Sequence, residues 1–190
     1  MLHIPLELSN DPSKFKLIAY RNHYNVYERL KKERPTTNKD WFSRVYYGFL
    51  NFLVGNISGA CEMFFESLEF DDYCAEVWSF IGCANFEKTE IIDAINAFKR
   101  SISIDPLFYG NYLLQINCFK QLELYESVIE VTKKGLLQFP EDWCLLTELA
   151  NASSKLGNDE YAREMTNKTI RNFSKKQERY HLKKEKQKQI

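Results

Sequence analysis

Glycine and proline are scarce in this chain, seven and five residues out of 190. A sheet protein turns about every ten residues and draws those turns largely from Gly, Pro and Asn, so the shortage speaks against an all-β fold. Long apolar runs are missing as well. No stretch approaches the ~18 residues that suggest a membrane-spanning helix, and the opening MLHIPLELSNDPSK has no basic stretch ahead of an apolar one, as a secretory signal would. Cysteine is present but unpaired in pattern: Cys61, Cys74, Cys83, Cys118 and Cys144 are odd in number, scattered, and nowhere CxxC. That argues against a disulfide framework or a zinc site and for reduced thiols in a cytoplasmic protein.

The signatures of catalysis are missing too. The chain has no glycine-rich phosphate loop, no GxSxG elbow and no HExxH. His3, His23 and His181 have no companions at metal-ligand spacing in the central region. Glu62, Glu66 and Glu69 follow the spacing of a solvated helix face. The expectation is a protein that is not an enzyme and carries neither cofactor nor metal.

What the chain does have is 44% hydrophobic residues, 15% of all residues aromatic, and charge spread along its length, the composition of a folded helical protein. Net charge is zero, yet residues 175–190 hold seven Lys or Arg against Glu178 and Glu185. This basic tail reads as a solvated extension of a last helix. In the body, bases alternate with acids, so no nucleic acid is expected as a partner.

Self-comparison finds a period. The shift that places Gly48 on Gly82 also places Ala60 on Ala94, Phe64 on Phe98 and Ser67 on Ser101; a further shift places Pro106 on Pro140, and Ala150 and Ala162 fall in the columns of Gly82 and Ala94. Units begin near Trp41, Ala75, Tyr109 and Trp143. Each has two helical patterns, with a small residue where they cross (Gly48, Gly82, Ala150), a second small residue opposite (Ala60, Ala94, Ala162), and Pro106 or Pro140 closing the second helix. The third unit departs from the pattern at Gln115, Ile116, Val128 and Thr132. The fourth has Thr166 in place of an aromatic and no closing proline. Ahead of the array, Pro12 to Arg34 carries Phe15, Ile18, Ala19, Asn22, Val26 and Leu30 near helical spacing and predicts a leading helix.

A period of about 34 residues, made of paired helices, resembles the tetratricopeptide-repeat family over residues 40–174. The resemblance implies an all-α, right-handed α-solenoid of four units. The domains expected are 1–39 with a leading helix at 12–34, the solenoid at 40–174, and the tail at 175–190. It also implies an inner, concave wall formed by the first helix of each unit. Carried onto this chain, that wall is Phe42, Val45, Tyr46, Phe49, Phe52 and Leu53, then Ser79, Phe80, Cys83 and Phe86, then Leu113, Leu114, Asn117, Lys120 and Gln121. The last unit adds Thr147, Glu148, Asn151, Ser154 and Lys155. One end is greasy and the other polar. The expected function is protein–protein interaction, as an adaptor or scaffold subunit gripping a peptide or helix, with Phe49, Phe80 and Leu114 as anchors and Asn117 bonding to the client backbone. The leading helix is the alternative occupant of the first unit's wall.

Two subclasses of the family can be compared residue by residue. Co-chaperones that clamp the acidic terminus of heat-shock chaperones need Lys, Asn, Asn, Lys and Arg where this chain has Val45, Phe49, Phe80, Gly110 and Leu114. Starting one unit later gives Ser79, Cys83, Leu114, Cys144 and Glu148, so that client class is not expected. The chaperones of type III secretion translocators are similar in size and apolar wall, and are the alternative reading. They carry three repeats and an acidic character, whereas this chain has four units and a basic tail.

Overall fold

The computed structural model describes residues 39–188, with side chains for 41–174; the expected leading helix at Pro12–Arg34 lies outside them. The described residues form eight helices and no strand: α1 (Lys39–Leu53), α2 (Ile57–Leu68), α3 (Ala75–Glu87), α4 (Ile91–Ile104), α5 (Tyr109–Gln121), α6 (Tyr125–Gln138), α7 (Trp143–Lys155) and α8 (Asp159–Lys188). Three of the four first helices start at the residue the period predicts, and the first starts slightly earlier, at Lys39 rather than Trp41.

The turns inside the hairpins repeat at the same interval. Gly55, Thr89, Glu123 and Gly157 all have positive φ, from 56° to 83°, and each stands one period from the next. Around each, two backbone bonds close the helix end in the same way: Gly55 N–H donates to Phe52 O and Asn56 N–H to Asn51 O, as do Thr89 to Phe86 and Glu90 to Asn85. Glu123 to Lys120 with Leu124 to Phe119, and Gly157 to Ser154 with Asn158 to Ser153, complete the set. This left-handed cap satisfies carbonyls that the helix end leaves open. The following residue starts the second helix. At Asn56 the side chain accepts from Gly59 N–H at 3.2 Å, and at Asn158 from Tyr161 N–H at 3.3 Å. Between hairpins, α4 and α6 stop at Ile104 and Gln138, each just ahead of a proline, Pro106 and Pro140.

The described chain divides into two compact units at Cys118/Phe119, within α5. In the first, α1 packs on α2, α2 on α3 and α3 on α4. The small residues stand where the helices come closest. A Cβ added to Gly48 would lie 2.6 Å from the Phe64 ring, and one on Gly82 2.5 Å from the Phe98 ring. Both rings are buried, as are Ala60 and Ala94. Arg44 ties α1 to α2, its Nε 3.0 Å from Glu66 Oε2 and its guanidinium 4.8 Å from the Phe70 ring centre.

In the second unit α7 packs against α6 and α8. Its core holds Leu146, Leu149, Ala150 and Met165, with Ile129, Leu136 and Tyr161 against it. No proline interrupts α8, which runs 30 residues. Among the described residues no helix is long and apolar enough to cross a membrane.

Candidate functional site

The greasy part of the expected wall, with Asn117, runs along α1, α3 and the first part of α5, all within the first unit. The structure divides the twelve greasy and amide positions of this stretch into three groups, of which the first is Leu53 alone, exposed. Phe42, Tyr46, Phe52 and Asn117 are partly buried, whereas Val45, Phe49, Phe80, Cys83, Phe86, Leu113 and Leu114 are buried.

Val45 and Phe80 belong to the core cluster itself, with Trp41, Ala60, Phe64, Val77 and Ile81. Phe80 stacks on Phe64 of α2 with ring centres 5.3 Å apart and meets Phe49 at 6.3 Å. Phe80, expected as an anchor, is buried because α3 lies against α1, α2 and α4 and a ring on its α2 side goes into packing. Phe42 and Phe52 lean on this cluster from outside. The wall is thus a rigid aromatic bed with a thin, partly exposed layer above it.

Burial on α3 and α5 goes further than one stripe. Eleven of the thirteen residues of α3 are buried, and on α5 six consecutive residues, Asn111 to Ile116, are buried. Six residues at ~100° each go more than once around a helix, so that part of α5 has no water-facing side.

A polar network that the period did not announce joins α3, α4 and α5. Ser79 Oγ donates to Asn111 Oδ1 at 2.6 Å, Asn111 Nδ2 donates to Ser101 Oγ at 2.6 Å, and Ser101 Oγ donates to Ala75 O at 2.5 Å. Gln115 Nε2 donates to Ile95 O at 3.2 Å. All four side chains are buried, and each bond is made in a region of low polarity, where leaving it unmade is costly. Asn111 had one sequence signal: Val77 and Leu145, one period either side, are apolar and buried.

Burial also sets the thiol chemistry. It pushes Cys83 well above its ordinary value, with Cys118 and Glu87 adding to the effect, and it raises Cys118 to about 12. Both stay protonated at neutral pH and are poor nucleophiles. Cys61, Cys83 and Cys118 are free thiols. Among the described residues no three His, Cys, Asp or Glu side chains come together as a metal site would require.

Two other surfaces carry polar character. Away from the wall in the first unit, a cavity of about 480 Å³ opens among α2, α3 and α4, with Cys61, Phe65, Trp78, Asn85, Lys88 and Arg100 in its lining. Its Lys88 is engaged with Glu90 at 2.7 Å. In the second unit, two positions of the polar wall pair with each other. Lys120 Nζ lies 3.0 Å from Glu148 Oε2 and donates to Oε1 at 3.2 Å.

No protein-family model matches the chain, and no curated protein is similar to it in sequence. Solved structures are similar in fold. A crystal structure of MamA, a tetratricopeptide-repeat protein, superposes with a TM-score of 0.65 at 19% identity, covering 92% of this chain and 99% of that one. A second MamA structure gives 0.65 at 19% identity, over 88% and 90% of the two chains. The MamA of Desulfovibrio magneticus RS-1 gives 0.61 at 15% identity, over 83% and 96%. The fold is therefore all-α and of the tetratricopeptide type.

Proposed function

We propose that this protein is a non-catalytic interaction module, an adaptor or scaffold subunit that takes a peptide or helix of a client on the wall of α1, α3 and α5. The observation that carries the reading is the partly exposed pair Phe42 and Phe52 on α1, packed against a core in which the rings of Phe49, Phe80 and Phe64 meet. Such a surface suits a client segment: rings supply contact area at small entropic cost, their bed holds them in place, and the Asn117 amide pairs with a backbone. Phe49, Cys83, Phe86, Leu113 and Leu114 shape the floor beneath. Fold alone does not assign this role, since one fold hosts many functions; the wall's chemistry is what supports it. Five cysteines scattered along the chain with no CxxC pair favour a reducing, cytoplasmic setting.

The test is an affinity capture from native lysate with three proteins of equal helicity: wild type, a Tyr46→Asp/Phe52→Asp variant, and Phe65→Asp at the cavity. Loss of partners in the first variant alone supports the wall. Loss in Phe65→Asp alone moves the site to the other face and refutes the reading.

A further inference from the structure

We propose that the cavity among α2, α3 and α4 is a second binding site, taking a small aromatic carboxylate that carries a carbonyl group on the side of its ring opposite the carboxylate. The cavity lies away from the wall, so this site stands independently of the proposed client.

The helices give the cavity two different ends. α3 and α4 run antiparallel through the Thr89 turn, so Asn85 and Asp93 stand near the turn, while Trp78 and Arg100 stand seven residues farther along their helices, about 10 Å away. α2 runs antiparallel to α3 as well, because Cys61 meets Asn85 and Phe64 meets Phe80. Phe65 therefore lies one turn beyond Cys61, toward Trp78. The turn end is polar and the far end is aromatic with one guanidinium.

Several polar groups of the lining are already engaged. Lys88 Nζ lies 2.7 Å from Glu90 Oε1, and Trp78 Nε1 donates to Asp72 O at 2.9 Å. Two groups are not. Asn85 is only 7% exposed; its Oδ1 accepts from Cys61 Sγ at 3.8 Å, and its Nδ2 donates to none of the described residues. Burial pushes the Cys61 thiol up, so the thiol keeps the proton that Oδ1 accepts and the amide is held with its NH₂ turned away from Cys61. A buried amide with both donors open is an uncommon arrangement, and its natural complement is a carbonyl oxygen. The second group is Arg100, whose guanidinium forms no ion pair among the described residues and whose fork matches a carboxylate.

Phe65, half-exposed, and Trp78, half-buried, supply aromatic surface for a ring between those two contacts. Asp93 fixes the direction. Its carboxylate at the turn end repels a ligand carboxylate placed there, which leaves the carbonyl to Asn85 and the anion to Arg100. A volume of about 480 Å³ holds a molecule of this size.

The test titrates the full-length protein with para-acetamidobenzoate by calorimetry. Wild type binds one molecule, Arg100→Gln weakens binding on the order of tenfold, and Lys99→Gln, a charge change on the neighbour outside the lining, leaves it at the wild-type level. Asn85→Leu weakens para-acetamidobenzoate and leaves para-isobutylbenzoate, which has no carbonyl, unchanged. No saturable binding of para-acetamidobenzoate at millimolar concentration overturns the proposal. Equal affinity in wild type and Arg100→Gln overturns it too, because the ligand is then elsewhere. Should either cavity variant lose its helicity, wild type alone decides: the neutral para-acetamidobenzamide and para-isobutylbenzoate must each bind more weakly than para-acetamidobenzoate, and equal affinity for either one ends the proposal. Tyr46→Asp/Phe52→Asp at the wall leaves the affinity unchanged, so this inference and the proposed function fail separately.

Discussion

At the scale of single residues, the closest approaches in the fold rest on what is missing from a side chain. Gly82 has no Cβ because the Phe98 ring stands 2.5 Å from where it would be. Gly82→Ala is therefore expected to destabilise the protein by about 1–3 kcal/mol, read by urea denaturation, and Phe98→Leu in the same chain to recover part of that loss. Asn111 shows the converse, a polar group that must be present. Asn111→Ala strands Ser79 and removes a partner of Ser101, and about 2 kcal/mol of stability goes with it. Thiols give a pH signature. Folded Cys118 keeps its proton to about 12, where a free thiol releases it near 9.0. The folded state thus holds the extra proton between those values, and stability falls as pH rises through that window while staying level below it. Cys118→Ala is expected to flatten part of the alkaline decline in thermal midpoint. The glycines were legible in the sequence because Gly48 and Gly82 recur at the period of the array. Asn111 was not, because one polar residue in an apolar column says nothing about which hydroxyls will meet it.

At the scale of elements, the period carries the helix starts and the turns together, since each turn residue is one interval from the next. Gly55 and Gly157 take the left-handed conformation freely. Thr89 and Glu123 take it at φ 63° and 56° with a Cβ in place, because the bonds from Glu90 to Asn85 and from Leu124 to Phe119 hold the cap closed. Each carries strain of about 1 kcal/mol. Thr89→Gly and Glu123→Gly are expected to raise the thermal midpoint by about 2–4 °C apiece. No sequence pattern marked these two positions as strained: threonine and glutamate have no turn signature, and only the equivalence with Gly55 and Gly157 reveals the backbone they share. Helix starts were easier. Ala75, Tyr109 and Trp143 follow from the spacing of small and aromatic residues, and packing of those residues is what stabilises each hairpin.

For the whole molecule, the proposed function has a tetratricopeptide-type array present its first-helix wall to a protein partner. The array was legible because volume must be conserved where helices cross, so Gly48 faces Phe64 and Gly82 faces Phe98. The division of the wall into floor and surface was not legible. Helical spacing assigns Phe80 and Phe52 to the same wall, and only the packing of α3 among α1, α2 and α4 sends Phe80 into the core while leaving Phe52 at its edge. The most direct measurement puts a benzophenone photo-crosslinking amino acid at position 52, on the wall, and at position 65, on the cavity, in cells of the native source. Covalent capture of a partner from position 52 and not from 65 is the result predicted. Capture from 65 with none from 52 would contradict the account and move the working surface to the other face of the hairpins.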